Sequence, residues 1–134
     1  MAGFYLQEYA RTTDGFLNVV EVLIGFLLWA LYRALGATTW SEQFLHSAAF
    51  AVASNGGIFL LSSSFSIPTA LMMPRMCYYS TFHLVAAACY VFGGVGSLRN
   101  SSFVDGLTAT IGGAFHTAHF VYSLRGPPLQ LPPS

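Results

Sequence analysis

A chain of 134 residues with 54% hydrophobic and only 7% charged side chains cannot cover itself with charge in water, where a soluble domain carries about a quarter charged residues. Net charge is zero, and the five basic residues are scattered arginines, so the chain carries neither a nucleic-acid surface nor a polybasic cluster for anionic lipid. With a mean hydropathy of +0.59, lipid is the simpler solvent, and the composition points to one all-α domain, an integral membrane four-helix antiparallel bundle.

Residues 1–15 read as an interfacial lead-in, with Phe4, Tyr5, Leu6, Tyr9 and Ala10 forming a short amphipathic turn at the headgroups. They lack the basic region and short apolar core of a cleavable signal, and Ala2 stands where myristoylation needs glycine. Thr12, Thr13 and Asp14 offer N-cap oxygens to the first span, about residues 16–35. A link over 36–43 follows, in which Trp40 suits an interface and Ser41 can cap the next helix. The second span, about 44–65, is rich in Ala, Gly and Ser, residues that let helix backbones approach closely in a bilayer. Pro68 and Pro74 bound a connection in which helices are expected to stop. The third span runs over about 76–98 and the fourth over about 106–124, and a Pro-rich tail over 125–134 reads as extended.

Four spans put both termini on one side, together with the loop holding Arg75. Arg11, Arg75 and Arg125 on that side against Arg33 and Arg99 on the other favour cytoplasmic termini. Asn100-Ser101-Ser102 is a glycosylation acceptor pattern and would then face outward. Cys77 and Cys89 lie twelve residues apart in one expected helix, about 18 Å along its axis, too far for a bridge within it.

Each span carries a stripe of polar or small residues at helical spacing, with Leu, Val, Ile and Phe on the other faces. Asn18 and Glu21 on span one, His83 on span three, and His116 and His119 on span four are the intramembrane polar candidates. Gly25, Ala49, Ala53, Gly57, Gly94, Gly112 and Gly113 are the expected packing positions. A carboxylate within a span is a functional candidate by default, and it can equally be an interhelical hydrogen bond that fixes packing. Nothing around Glu21 resembles a transport pathway, so the packing reading is preferred. His116 and His119, three apart, could serve a metal or a haem. The Glu-x-x-His pairs of di-iron sites and the HExxH of zinc enzymes are absent, however, and the candidate ligands Glu21, His46, His83, His116 and His119 read as lying at different depths. The expectation is therefore no metal, no cofactor and no catalytic residue. The triplet Ser62–Ser64 lacks a nucleophile-elbow context, and Asp14, Glu42 and Asp105 read as caps or interface charges.

The spacing Asp14-x6-Glu21-x3-Gly25-x3-Trp29 resembles the first helix of MARVEL-domain proteins, especially the myelin-and-lymphocyte type. The aromatic- and alanine-rich third span, with Tyr78, Tyr79, Ala86–Ala88 and Tyr90, and the closing stretch His119–Arg125 look like the corresponding parts of that family. Small tetraspan proteins of insect smooth septate junctions share the compact layout. The resemblance implies a non-enzymatic protein of the plasma membrane or vesicle membranes that organises microdomains, sorts vesicles or assembles cell contacts. Its partners would be membrane lipids, other membrane proteins or further copies of itself, with no nucleic acid. The alternatives are an accessory subunit of a larger membrane complex (a channel, transporter or respiratory assembly) and, below that, a histidine-based redox or metal protein.

Overall fold

The computed structural model describes residues 5–100 and 102–125, and it is helical with no strand among them. Six α-helices follow in order: α1 (Leu6–Ala10), α2 (Thr13–Leu35), α3 (Trp40–Phe65), α4 (Ile67–Met72), α5 (Cys77–Arg99) and α6 (Phe103–Leu124), with a 3₁₀ turn at Met73–Arg75. Helices α2, α3 and α5 are each long and apolar enough to cross a membrane. Helix α6, at 22 residues, is nearly as long, but two of its side chains, His116 and His119, lower its apolar character, and both are buried inside the protein.

Caps set where the helices start. The Thr12 hydroxyl accepts from the Gly15 amide at 3.0 Å and opens α2. Thr39, rather than Ser41, caps α3, in a capping box with Glu42. The same carboxylate accepts from the backbone amides of Thr38 and Thr39 at 2.8 and 2.9 Å and from the Ser102 hydroxyl, which ties the entrance of α3 to that of α6. Glu42 is thus a capping residue, one of the two roles expected of it. At the end of α2, Gly36 adopts φ 87 and ψ 159, a positive-φ conformation open to glycine and rarely adopted by residues with a Cβ.

The long helix α3 stops at Phe65, ahead of the prolines, as expected, and the connection itself holds the short α4 and the 3₁₀ turn. Pro68 sits in the first turn of α4, where its missing N–H would be unpaired in any case, and Ser66 caps that turn. The segment ahead of span one differs from a surface turn. The Tyr5 amide donates to the Ser64 carbonyl at 2.7 Å, and Tyr9 is buried. Phe4 and residues 1–3 lie outside the described residues, as does the 126–134 part of the tail.

The four long helices pack in the ring order α2, α3, α5, α6. Small residues make the contacts close. A Cβ on Gly25 would come within 2.9 Å of the Ala53 Cβ and of the Tyr90 hydroxyl. One on Gly94 would meet the Gly106 carbonyl oxygen at 3.0 Å, one on Gly112 Ile24 at 3.0 Å, and one on Gly113 Val91 at 2.7 Å. Ala49 and Ala53 are fully buried. Gly57 departs from the expectation: nothing lies within 4 Å of its Cβ position, and the packed glycine of that pair is Gly56, against Val22. The helix faces differ by one position, because the contact stripe of α3 runs Ala49, Ala53, Gly56, Ser63. The core at the centre of the ring is Leu28, Tyr32, Leu45, Val52, Ala86, Tyr90 and Ala109. Large apolar side chains such as Leu23, Ile58, Leu61, Val85, Phe92 and Ile111 face outward.

Candidate functional site

Three helices and the short α1 bring their polar side chains to one place. On α2, Asp14, Asn18 and Glu21 are spaced four and three apart, which aligns them on one face. Tyr79 and His83 are spaced four apart on α5, and His116 and His119 three apart on α6. All seven are buried, with Asn18, Tyr79, His83 and His119 at 0% exposure and Glu21 at 3%.

His119 is the hub. Its Nδ1 lies 3.1 and 3.0 Å from the two Glu21 oxygens, and its Nε2 lies 2.8 Å from Asp14 Oδ1. A ring whose two nitrogens both face carboxylate oxygens is best served by the imidazolium form, the only one that donates from both. The far side of the hub is a hydroxyl–amide relay. The Tyr79 hydroxyl touches both His119 Nε2 and Asp14 Oδ1, each at 3.1 Å. The Asn18 amide donates to the Tyr79 and Tyr9 hydroxyls at 2.7 and 2.6 Å, and the Tyr9 hydroxyl donates to Asp14 Oδ2 at 2.7 Å. Burial, and next the Asp14 carboxylate, push the Tyr9 phenol well above its usual range, so it stays a donor.

On the near side, Glu21 meets two more histidines. His83 Nδ1 is 3.4 Å from Glu21 Oε2, and His116 Nδ1 is 3.4 Å from Glu21 Oε1. The two Nδ1 atoms are 3.1 Å from each other. The His83 ring stacks on that of His119 with centroids 3.9 Å apart. The Nε2 atoms of His83 and His116 have no hydrogen-bond partner among the described residues.

The expected polar candidates Asn18, Glu21, His83, His116 and His119 therefore converge. The expectation that Glu21 and the histidines lie at different depths fails for four of the five: α6 runs opposite to α2, so late residues of one meet early residues of the other. His46 is the exception. It sits beside Tyr32, with ring centroids 6.1 Å apart, and touches none of the other histidines. Asp14 is not a cap but the second carboxylate of the cluster; Thr12 caps the helix instead. Asp14 is recoverable from its four-residue spacing to Asn18, whereas Tyr9 carries no signal, since nothing in the sequence folds the segment before α2 back onto it. Asn100 lies at the opposite end, exposed, with its amide donating to Ser41 Oγ at 2.9 Å.

No family model, curated protein or solved structure matches this chain. The chemistry of the cluster is thus argued from its own geometry. It holds three basic nitrogens around one carboxylate and a second carboxylate behind them, enclosed by helix packing. As a set of hydrogen bonds and ion pairs it ties α2, α5 and α6 together. As a ligand set, Glu21, His83 and His119 offer donor atoms that all lie within 4.8 Å of one another.

Proposed function

We propose that the chain is a four-span antiparallel membrane bundle with cytoplasmic termini, which acts without catalysis by organising its membrane through lateral contacts with lipids and other membrane proteins. One observation carries this reading. Asn18, Glu21, Tyr79, His83, His116 and His119 are turned inward toward one another, while the large exposed side chains of the outer face are mostly Leu, Ile, Val and Phe. The links between helices are too short for a separate domain, so the outer apolar face is what the described residues can offer a partner. Helix α6 fits a crossing as well: its histidines are hidden, and Leu107, Ile111, Ala114, Ala118 and Val121 face out. A shallow groove between α2 and α6 is lined by Thr13, Leu17, Ala114, Thr117, Ala118, Val121 and Tyr122, with Arg125 at its rim.

The MARVEL-like spacing agrees with this reading. Asp14, Glu21 and Gly25 of that spacing are all buried on one face, and Trp29 packs on Phe50 of α3, with centroids 5.7 Å apart. Glu21 is then a lock between helices.

The test is crosslinking and proximity labelling in native membranes, comparing wild type with Gly57→Leu and Ala118→Leu. Both positions face outward, so the fold is expected to survive. Loss of neighbours or of localisation supports lateral association; unchanged neighbours for both variants argue against it at these faces. Stoichiometric recovery with one large complex in mild detergent would favour the accessory-subunit reading instead.

A further inference from the structure

Beyond that reading, we propose that Glu21, His83 and His119, with His116 beside them to complete the set, form a binding site for a first-row divalent transition ion, with zinc best suited, which fastens α2, α5 and α6 to one another.

The distances carry the proposal. Four ligands around a tetrahedral ion with bonds of about 2.0–2.1 Å are separated by about 3.3–3.4 Å. Glu21, His83 and His119 offer donor atoms that all lie within 4.8 Å of one another: Glu21 Oε2 is 3.0 Å from His119 Nδ1 and 3.4 Å from His83 Nδ1, and His116 Nδ1 stands 3.1 Å from His83 Nδ1 and 3.4 Å from the other Glu21 oxygen, Oε1. Three imidazoles and one carboxylate are a borderline-hard N/O set, suited to zinc and its neighbours rather than to magnesium or calcium. The sulfurs of Cys77 and Cys89 are not part of it; Cys77 is exposed, and its sulfur pairs with Thr81.

Proton bookkeeping points the same way. With Glu21 ionised, one of the His83 and His116 Nδ1 atoms must be a lone pair if they bond to each other, and that lone pair then faces a carboxylate oxygen. If both carry protons, the two N–H groups face each other at 3.1 Å. With Glu21 ionised, each of these arrangements leaves one repulsive contact at the centre, and a cation there would meet the carboxylate and, with both rings protonated at Nε2, two Nδ1 lone pairs. The net charge also closes. Asp14 and Glu21 contribute two negative charges in an apolar interior; an ion that displaces the Nδ1 proton of the His119 imidazolium leaves the histidines neutral, and its two positive charges cancel both. Asp14 completes the pattern from behind. It accepts from His119 Nε2 at 2.8 Å, the carboxylate–histidine arrangement that orients a metal-ligating imidazole and raises its basicity. With the ligands at 0–3% exposure, the site is closed, which suits a structural ion rather than a catalytic one.

The experiment uses the full chain, extracted in mild detergent without a histidine tag. Bound metal is measured by elemental analysis, stripped with a chelator, and replaced by Zn²⁺ or Co²⁺. Expected are about one ion per chain, the intense visible bands of four-coordinate Co²⁺ without thiolate charge transfer, and a higher unfolding midpoint on adding Zn²⁺. His119→Gln and Glu21→Gln should abolish the Co²⁺ bands, and Asp14→Asn should weaken binding about 10–100-fold. His46→Gln should leave binding unchanged. Should the ligand variants fail to fold, the wild-type arm decides alone: a stripped, folded chain that takes up neither ion stoichiometrically overturns the proposal. So do folded His119→Gln chains that bind as wild type does. The readout needs no lateral partner, so it stands or falls separately from the proposed function.

Discussion

Replacing His119 by leucine removes the one group that faces both buried carboxylates, at 2.8 Å from Asp14 and 3.0 Å from Glu21. Breaking a buried ion pair by deleting one partner costs about 3–5 kcal/mol, because the other charge is left uncompensated. At 1.4 kcal/mol per decade, the folding equilibrium falls about a hundred-fold to several-thousand-fold. A second variant separates stranded charge from lost hydrogen bonds. Adding Asp14→Asn and Glu21→Gln to His119→Leu removes the stranded charges, leaving only unmet hydrogen bonds that cost about 1–3 kcal/mol. The triple variant should therefore be more stable than the single one, although it departs further from the native residues. Reversible unfolding in mixed micelles, followed by the fluorescence of Trp29 and Trp40 with chelator present, measures both. A triple variant no more stable than His119→Leu alone would refute the view that stranded charge is what the single change costs.

Gly25→Ala should destabilise the chain by about 1–3 kcal/mol through overpacking, since its Cβ would lie 2.9 Å from Ala53 and Tyr90, whereas Gly57→Ala, with no atom within 4 Å, should be neutral or up to about 1 kcal/mol stabilising in the same unfolding assay. Tyr79→Phe should cost about 1–3 kcal/mol by unpairing Asp14, His119 and Asn18, while Tyr78→Phe, at 62% exposure, should not register. With cytoplasmic termini, the exposed Cys77 at the start of α5 lies on the cytoplasmic side, so a membrane-impermeant maleimide should label it only after permeabilisation; labelling in intact cells would reverse the orientation.

The inward stripe of α2 was readable from helical spacing alone, and Asn18, Glu21, Gly25, Leu28 and Tyr32 are all buried. So was that of α6 from Gly112 through His116 and His119 to Ser123. Periodicity reports which face is polar but not how far along its axis each helix sits, so it allows Glu21 to pair with a histidine of another span without saying which ones it meets. The depth of a residue depends on where each helix begins, and caps decided that: α3 starts at Trp40, after Thr39, rather than at the first apolar residue, Phe44. Gly56 and Gly57 show the same limit on a smaller scale. Adjacent glycines differ by about 100° around a helix, and composition cannot say which of them meets Val22. Tyr9 was illegible for a different reason, since its contacts come from a fold-back of the chain that no periodic pattern encodes.

The pairing of Asp14 and Glu21 with His119 has a consequence for how the protein is made. Glu21 and His119 are 98 residues apart, and the histidine lies in α6, the last of the described helices to leave the ribosome. At about 5–20 residues per second, α2 waits about 5–20 s with two carboxylates that have no cation to meet. During that interval the first helix is a marginal guest in lipid and depends on protonation or on the insertion machinery to hold it. A chain cut short before His119 exposes that acid pair for good. The same two residues that fasten the finished protein thus label every unfinished copy as incomplete.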